Sequence, residues 1–236
     1  MTINMKINTP AHKNILLQIL KDIYTDTTLG PLLGFKGGTA AFMFYGLNRF
    51  SVDLDFDLLD EAGENHVFEK IMGIAKKYGA VRDAHKKKYS FIVVLSYDER
   101  ATNIKIEINR RNFGSRYEIK TYLGVSMQVM AREDMYAHKM MAMYERIGKT
   151  NRDIYDVWYF AHNRWPINRE IVEKRAGMPY GQLLQKCVTR LEKMSDRTIL
   201  SGLGDLLYDE QKKWARANLR KDTIYLLKLA LDDEQQ

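Results

Sequence analysis

The 236-residue sequence contains little of what defines several protein classes. Its only cysteine, Cys187, excludes an internal disulfide, and residues 1–10 lack the pattern of a signal peptide, so a cytoplasmic protein is expected. The apolar runs, such as residues 40–45, are far shorter than the ~20 residues that span a bilayer, so no membrane partner is expected. No repeat, low-complexity tract or zinc-type spacing of His and Cys occurs.

What the sequence does contain is typical of a globular protein, with 45% hydrophobic and 28% charged residues. Lys and Arg number 37 against 30 Asp and Glu, a formal net charge of +7. This moderate excess permits a polyanionic partner without requiring one. The length fits one domain or two small ones, at roughly 100–200 residues per domain.

Hydrophobic periodicity predicts an α+β fold, a mixed sheet with helices in the N-terminal half followed by an all-helical C-terminal half. Helices are predicted over residues 11–28, 40–45, 66–78, 131–147, 152–163, 168–175, 180–193 and 208–231, the last one broken. Strands are predicted over residues 32–35, 51–59, 89–96, 103–109 and 117–123. We therefore expect an α/β core over residues 1–128 and a helical domain over residues 129–236.

Three aspartates alternate with apolar residues over residues 52–58. Because side chains of a strand alternate between faces, Asp53, Asp55 and Asp57 share one face. Carboxylates in such proximity repel each other unless a cation lies among them, and magnesium is the usual cation for oxygen ligands. The alternative is a solvated edge strand with an acidic outer face.

A glycine pair precedes these acids. Gly37 and Gly38 lie between a predicted strand and a predicted helix, and Thr39 is placed to cap that helix. Free amides at a helix N-terminus bind anions, and glycine lets a phosphate approach the backbone closely. A Gly-Gly pair alone is usually only a turn, but one followed by Asp-x-Asp on the next strand predicts a site for a triphosphate with its metal.

A further acid, Glu107, alternates with isoleucines over residues 103–109. If this strand pairs beside the aspartate strand, Glu107 lies next to the Asp-x-Asp face and two metals can be held. The alternative is a surface pair with a lysine.

The helical half holds three more candidates. Lys139 falls on or beside a mostly apolar helix face, where it needs an anion or must extend to solvent. Asp153 and Asp156 share a face three residues apart. Their alternative role is favourable charge at a helix N-terminus.

Over residues 32–160 these motifs resemble the AbiEii/AbiGii toxin family of minimal nucleotidyltransferases. The shared pattern is Gly-Gly-Thr-Ala, Arg-x-Ser-x-Asp-Leu-Asp-Phe, a helix with a lysine, and Arg-Asp-x-x-Asp, here at residues 37–40, 49–56, 133–142 and 152–156. The resemblance implies the DNA polymerase β-like nucleotidyltransferase fold, with a nucleoside triphosphate (NTP) as substrate and magnesium, two ions, as cofactor.

The resemblance also implies roles for single residues. The triphosphate would be bound by Gly37, Gly38, Thr39, Arg49, Ser51 and Lys139. The metals would be bound by Asp53, Asp55 and Glu107. The catalytic residues would be Asp53, Asp55, Lys139, Asp153 and Asp156, and which of Glu107, Asp153 and Asp156 is the third carboxylate stays open.

The implied activity transfers a nucleoside monophosphate to an acceptor hydroxyl and releases pyrophosphate, in the toxin of a toxin–antitoxin or phage abortive infection system. The implied partners are a cognate antitoxin and, given the basic charge, an RNA acceptor such as a tRNA 3′ end, with a protein hydroxyl as the alternative. The rival hypotheses are an antibiotic-type nucleotidyltransferase with a small acceptor and a non-catalytic nucleic-acid-binding module.

Two basic clusters are candidates for contacts with RNA phosphates. One is His85 to Lys88, and the other surrounds Trp214 with Lys212, Lys213, Arg216, Arg220 and Lys221. Each is an RNA track or simply a solvated face.

Overall fold

A computed structural model of the protein describes residues 9–99 and 102–234. These residues form two compact units, which divide between Ala131 and Arg132. Among the helices so described, none is long and apolar enough to cross a membrane.

The first unit is built on a seven-stranded mixed sheet. Its elements are α1 (Thr9–Thr25), β1 (Leu33–Lys36), α2 (Gly37–Phe44), β2 (Leu54–Leu58), α3 (Glu64–Tyr78), β3 (Ala80–Lys86), β4 (Ser90–Ser96), β5 (Ile104–Asn109), β6 (Tyr117–Tyr122) and β7 (Val125–Met130). The strand order is β3-β4-β5-β2-β1-β7-β6. β1 runs antiparallel to β2 and parallel to β7, and β2 runs parallel to β5.

The two faces of this sheet follow from the alternation in the sequence. Leu54, Phe56 and Leu58 of β2 are buried, as predicted, because they point into a core that α1 and α3 also line. The ring of Tyr24 on α1 lies 6.4 Å from that of Phe56, and Phe68 of α3 lies 5.4 Å from Phe91 of β4. The opposite face of the central strands carries their polar residues.

Two strands were not predicted from the sequence. β3 lies at the edge of the sheet beside β4, and a register shift after Val81 interrupts their pairing. It lacks apolar alternation because none of its side chains is buried. β7 forms a hairpin with β6 through Leu123 and Gly124, whose φ angles are +47° and +81°. Two positive φ angles are typical of a type I′ turn, but Leu-Gly is not the usual sequence signal for one.

The second unit is all-helical, as predicted. It consists of α4 (Arg132–Arg146), α5 (Arg152–His162), α6 (Arg169–Ala176), α7 (Tyr180–Glu192), α8 (Asp209–Trp214) and α9 (Arg220–Asp233). The predicted break in the last helix is a π-helical segment, Ala215–Leu219, between α8 and α9. Large side chains such as Tyr155, Phe160 and Leu184 are fully buried in its core.

Candidate active site

The glycine pair forms a tight junction between β1 and α2. Gly37 has a φ of +79°, and a Cβ at this position would lie 2.3 Å from Oδ2 of Asp55. A Cβ on Gly38 would lie 2.8 Å from the Ser51 hydroxyl and 2.9 Å from Nη2 of Arg49. Glycine is required at both positions, because any side chain would displace polar groups from the N-terminus of α2.

The prediction that Thr39 caps α2 is wrong. The helix begins one turn earlier, Lys36 is its N-cap residue, and that residue makes no side-chain cap. Thr39 is buried inside the first turn, where its hydroxyl donates a hydrogen bond to the backbone carbonyl of Asp53. Thr39 therefore fixes the segment that carries Asp53 against α2.

Ser51 and Arg49 lie on the segment that leads into β2, and both are buried. One guanidinium nitrogen of Arg49 donates to the carbonyl of Phe50 at 2.8 Å, which holds the side chain along its own backbone. Both side chains lie next to Gly38. A hydroxyl and a cation are thus held at the N-terminus of a helix, a combination that favours anion binding.

The acids Asp53 and Asp55 flank the start of β2, since Asp53 precedes the strand by one residue and Asp55 is its second residue. β2 pairs with β5 in a register that sets Asp55 directly opposite Glu107. The prediction for Glu107 requires its strand to pair beside the aspartate strand, and the two strands do pair. Opposite residues of paired strands point to the same face, so Asp55 and Glu107 are neighbours there.

The cation among these acids is Lys105. Its ammonium lies 2.8 Å from a carboxylate oxygen of Glu107, and both side chains are about one-third exposed, at 31% and 32%. Burial opposes the charge of Lys105, but the charges of Asp55, Glu107 and Asp53 outweigh it and raise the pKa of the lysine. Burial likewise opposes the charge of Glu107, but Lys105, together with Ser90 and Lys36, lowers the pKa of this carboxyl. Three carboxylates thus act on one lysine.

This donor set suits a hard divalent cation. Within the part of the chain that is described, no three His, Cys, Asp or Glu side chains are already arranged to hold a metal ion. The ligands that Asp53, Asp55 and Glu107 offer are nevertheless all carboxylate oxygens, which magnesium prefers. A divalent cation among them would offset the mutual repulsion of the three carboxylates.

Asp57 lies on the same sheet face but differs from Asp55. It is buried, and it accepts hydrogen bonds from Lys36 at 2.5 Å, Asn109 at 2.6 Å and Tyr117 at 2.5 Å. Burial raises the pKa of this carboxyl, but the charge of Lys36 and the three donors outweigh that effect and lower it. Asp57 therefore serves the packing of the sheet, since each of its oxygens already accepts a hydrogen bond.

In the helical unit, Lys139 of α4 contacts both aspartates of α5. Its ammonium lies 3.2 Å from Asp153 and 2.7 Å from Asp156, and Arg146 lies 3.3 Å from the other oxygen of Asp153. Lys139 is 13% exposed, whereas the two aspartates are 1% and 0% exposed. The anion that a lysine on an apolar helix face needs is therefore supplied by α5.

The predicted residues are thus brought together in two groups, one on each unit. Asp53, Asp55 and Glu107 meet with the glycine pair, Thr39, Arg49 and Ser51 in the first unit; Lys139 meets Asp153 and Asp156 in the second. The alternation over residues 103–109 places Lys105 and Asn109 on the same face as Glu107, but no role in the site was predicted for them or for Lys36.

Two crystal structures share the fold of this chain. One is of a candidate nucleotidyltransferase from H. pylori, with 18% identity over 96% of each chain and a TM-score of 0.59. The other is of JHP933 from Helicobacter pylori, with 19% identity over 96% of this chain and 94% of that one and a TM-score of 0.55. A comparison with curated proteins gives no match.

The sequence identifies the family. The family model described as "Nucleotidyl transferase AbiEii toxin, Type IV TA system" matches residues 18–225, so the chain belongs to the AbiEii family of nucleotidyltransferase toxins. The predicted family, fold class and enzyme class are confirmed. As a type IV toxin, it acts on an NTP and has a cognate antitoxin.

Proposed function

We propose that this toxin transfers a nucleoside monophosphate from a magnesium-bound NTP to a hydroxyl of RNA, such as a tRNA 3′ end, and releases pyrophosphate. The observation that carries the proposal is the contact of Gly37 with Asp55, since it joins an anion-binding helix N-terminus to a metal-type carboxylate. The enzyme would act in the cytoplasm, in defence against phage, under the control of its antitoxin.

The triphosphate would be bound at the start of α2. The hydroxyl of Ser51 and the guanidinium of Arg49 lie beside Gly38, in the space that a side chain at this position would take. Such groups stabilise the charge that phosphoryl transfer moves onto the leaving pyrophosphate. Thr39 contributes by holding Asp53 in place.

Asp53, Asp55 and Glu107 would hold the metal, and we propose two ions. Bound magnesium lowers the pKa of an attacking hydroxyl and neutralises phosphate charge. The three carboxylates orient such ions, and Lys105 keeps part of their negative charge balanced beforehand. Because Asp57 is already hydrogen-bonded on both oxygens, it is not a ligand in this proposal.

We infer from the family motif that Lys139, Asp153 and Asp156 take part in the same reaction. The Lys139 side chain is partly exposed although both aspartates contact its ammonium, which is compatible with a further contact with an anion. In this role Lys139 neutralises phosphate charge, while Asp153 and Asp156 orient its side chain.

The proposal is tested by incubating the protein with each α-labelled NTP, magnesium and total RNA, followed by gel electrophoresis and a pyrophosphate assay. We expect label in RNA with a subset of the nucleotides, complete loss of label with EDTA, and pyrophosphate in proportion. Pyrophosphate release without labelled RNA would overturn the RNA acceptor and favour a small molecule or a protein. Activity that persists in EDTA would overturn the metal.

A further inference from the structure

Two distant segments of the first unit meet at the end of β5. The turn between β3 and β4 is joined to the chain after β5, because the amide of Arg110 donates to the carbonyl of Tyr89 at 2.8 Å. The amide of Lys87 closes the turn by donating to Ser90 at 2.7 Å. We call the resulting surface the basic-aromatic turn; it consists of Lys87, Lys88, Tyr89, Arg111 and Phe113.

The three cations of the basic-aromatic turn are exposed, and two of them, Lys88 and Arg111, lie over aromatic rings. The ammonium of Lys88 lies 5.0 Å from the ring centre of Tyr89, and the guanidinium of Arg111 lies 5.3 Å from the same ring and 5.5 Å from that of Phe113. Tyr89 is 48% exposed. Over residues 9–99 and 102–234, neither Lys87, Lys88 nor Arg111 forms an ion pair.

Two neighbouring cations, by contrast, do form ion pairs with a carboxylate. Lys86 and Arg110 both pair with Glu64, at 3.0 and 2.8 Å. Glu64 is thus shared by Lys86 and Arg110, whereas within the described residues Lys87, Lys88 and Arg111 have no carboxylate partner. Three cations in such proximity repel each other, and a polyanion would relieve that repulsion.

The second basic cluster differs in its aromatic ring, because Trp214 packs against Trp158 at 4.2 Å, and among the described residues two of its five cations are paired. Lys212 pairs with Asp209 at 3.0 Å, and Arg220 contacts both oxygens of Asp196 at 2.5 and 2.9 Å. The π-helical segment also changes the helical spacing that was expected to align these residues. Of the two clusters singled out from the sequence, the structure therefore favours the first as an anion-binding surface.

The basic-aromatic turn is fixed to the strands that carry the acids. Nε of Arg111 donates to the side chain of Asn109 at 3.2 Å, and Asn109 donates to Asp57 at 2.6 Å. Arg111 follows Glu107 by four residues, so their Cα atoms are at most about 14 Å apart. An RNA strand whose end lies at Asp55 and Glu107 would therefore reach the basic-aromatic turn within a few nucleotides.

We propose that the basic-aromatic turn binds the single-stranded end of the RNA acceptor. Its cations contact phosphates, and Tyr89 offers a ring on which a base stacks; the identity of the acceptor rests on the proposed function. Exposed aromatic rings among cations favour single-stranded nucleic acid over an acidic protein, since bases stack on such rings.

The test measures binding of a single-stranded RNA oligonucleotide of mixed sequence, without NTP, between about 50 and 200 mM salt. The variant replaces Lys87, Lys88 and Arg111 with Gln, and the matched control replaces the exposed Lys213, Arg216 and Lys221 with Gln, an equal loss of charge. At about 0.7 per phosphate contact, we expect the variant to flatten the slope of log K against log salt by about 2 units, and the control to change it little.

Tyr89→Ala provides an independent measurement, and we expect about fivefold weaker binding or more, from the loss of base stacking. An unchanged salt slope in the triple variant, or an equal change in the control, would overturn the proposal. If Tyr89→Ala binds RNA normally and polyglutamate competes with RNA for the turn, the occupant is an acidic protein instead.

The outcomes separate this proposal from the function on which it rests. Because binding is measured without NTP, weakened RNA binding by the triple variant supports the turn even if no RNA is ever labelled. Conversely, if the wild-type protein labels RNA and the triple variant labels it equally at every salt concentration, the turn is wrong and the function stands. An NTP–magnesium thermal shift equal to wild type verifies that the variant is intact.

Discussion

Each of the two units carries a group of carboxylates around a lysine, but the groups differ in charge balance. In the first unit, three carboxylates, those of Asp53, Asp55 and Glu107, act on Lys105, and the Lys105 and Glu107 side chains are partly exposed. In the second unit, Asp153 and Asp156 are buried against two cations, Lys139 and Arg146.

The difference shows that spacing of acids does not by itself identify a metal site. A group with unbalanced, accessible negative charge gains free energy from binding a cation. A buried group whose charges are matched instead loses stability whenever one member is removed, because its partner is left as an unpaired buried charge. Measurements of activity and stability on the same variants therefore separate the two kinds of group.

The largest effect is expected for Asp55→Asn, which removes one metal-type carboxylate. If the metal supplies several kcal/mol of transition-state stabilisation, nucleotidyl transfer should fall by about 10³-fold or more. The melting temperature should stay near that of wild type or rise, since the remaining acids repel each other less. Transfer of labelled nucleotide and thermal unfolding measure the two quantities.

The matched control is Glu61→Gln, which removes an exposed carboxylate of the same unit away from the sheet face. Wild-type transfer and wild-type stability are expected for it. If Asp55→Asn retains transfer within about threefold of wild type, the acids of β2 are not the metal site and the comparison fails.

A second effect, on stability, is expected for Lys139→Met in the balanced group. The variant leaves Asp156 and Asp153 buried with one cation fewer, which should cost about 3–5 kcal/mol in the free energy of unfolding. Urea denaturation measures this loss. Nucleotide affinity should also fall if Lys139 contacts phosphate.

The double variant Lys139→Met with Asp156→Asn separates the two roles. Neutralising Asp156 removes the uncompensated charge, so much of the lost stability should return while nucleotide affinity stays low. If affinity for NTP recovers together with stability, Lys139 has a packing role alone, and the proposal for its part in the reaction fails.

The sequence predicted the fold class, five of the seven strands and the helices of the second unit, because these segments follow a clear apolar period. It also predicted that Glu107 could join the aspartates, since alternation along β2 and β5 fixes which residues share a face. Local periodicity is sufficient for both predictions, once the two strands pair in the expected register.

Charge balance could not be predicted, because it depends on strands that meet only in the folded sheet. Asp55 and Asp57 occupy equivalent positions in the alternation along β2. Asp57, however, accepts hydrogen bonds from Lys36, Asn109 and Tyr117, which come from three other strands. The position of Thr39 was missed for a similar reason. Its hydroxyl bonds a carbonyl 14 residues later, and the start of the helix alone does not indicate that contact.

The smallest effect is expected for Asp57→Asn. This variant tests whether Asp57, which is paired with Lys36, has a structural role on the sheet face that also carries Asp55 and Glu107. Asparagine cannot neutralise the ammonium of Lys36, so the variant should be less stable than wild type by about 2 kcal/mol at pH 7. Urea denaturation gives this difference. Because Asp57 is no metal ligand in the proposal, the folded variant should still bind NTP with magnesium.

The dependence on pH shows whether the charge of Asp57 is responsible. The folded state lowers the pKa of this carboxyl, so its charge stabilises the protein above its unfolded-state pKa of about 4, and that stabilisation is lost as the pH falls through the folded-state value. The difference in unfolding free energy between wild type and Asp57→Asn should therefore be largest near pH 7 and shrink below about pH 4. A difference that stays constant down to the acid transition would mean that shape and hydrogen bonding, rather than charge, hold Asp57 in the sheet, and the contrast with Asp55 would then not be one of charge balance.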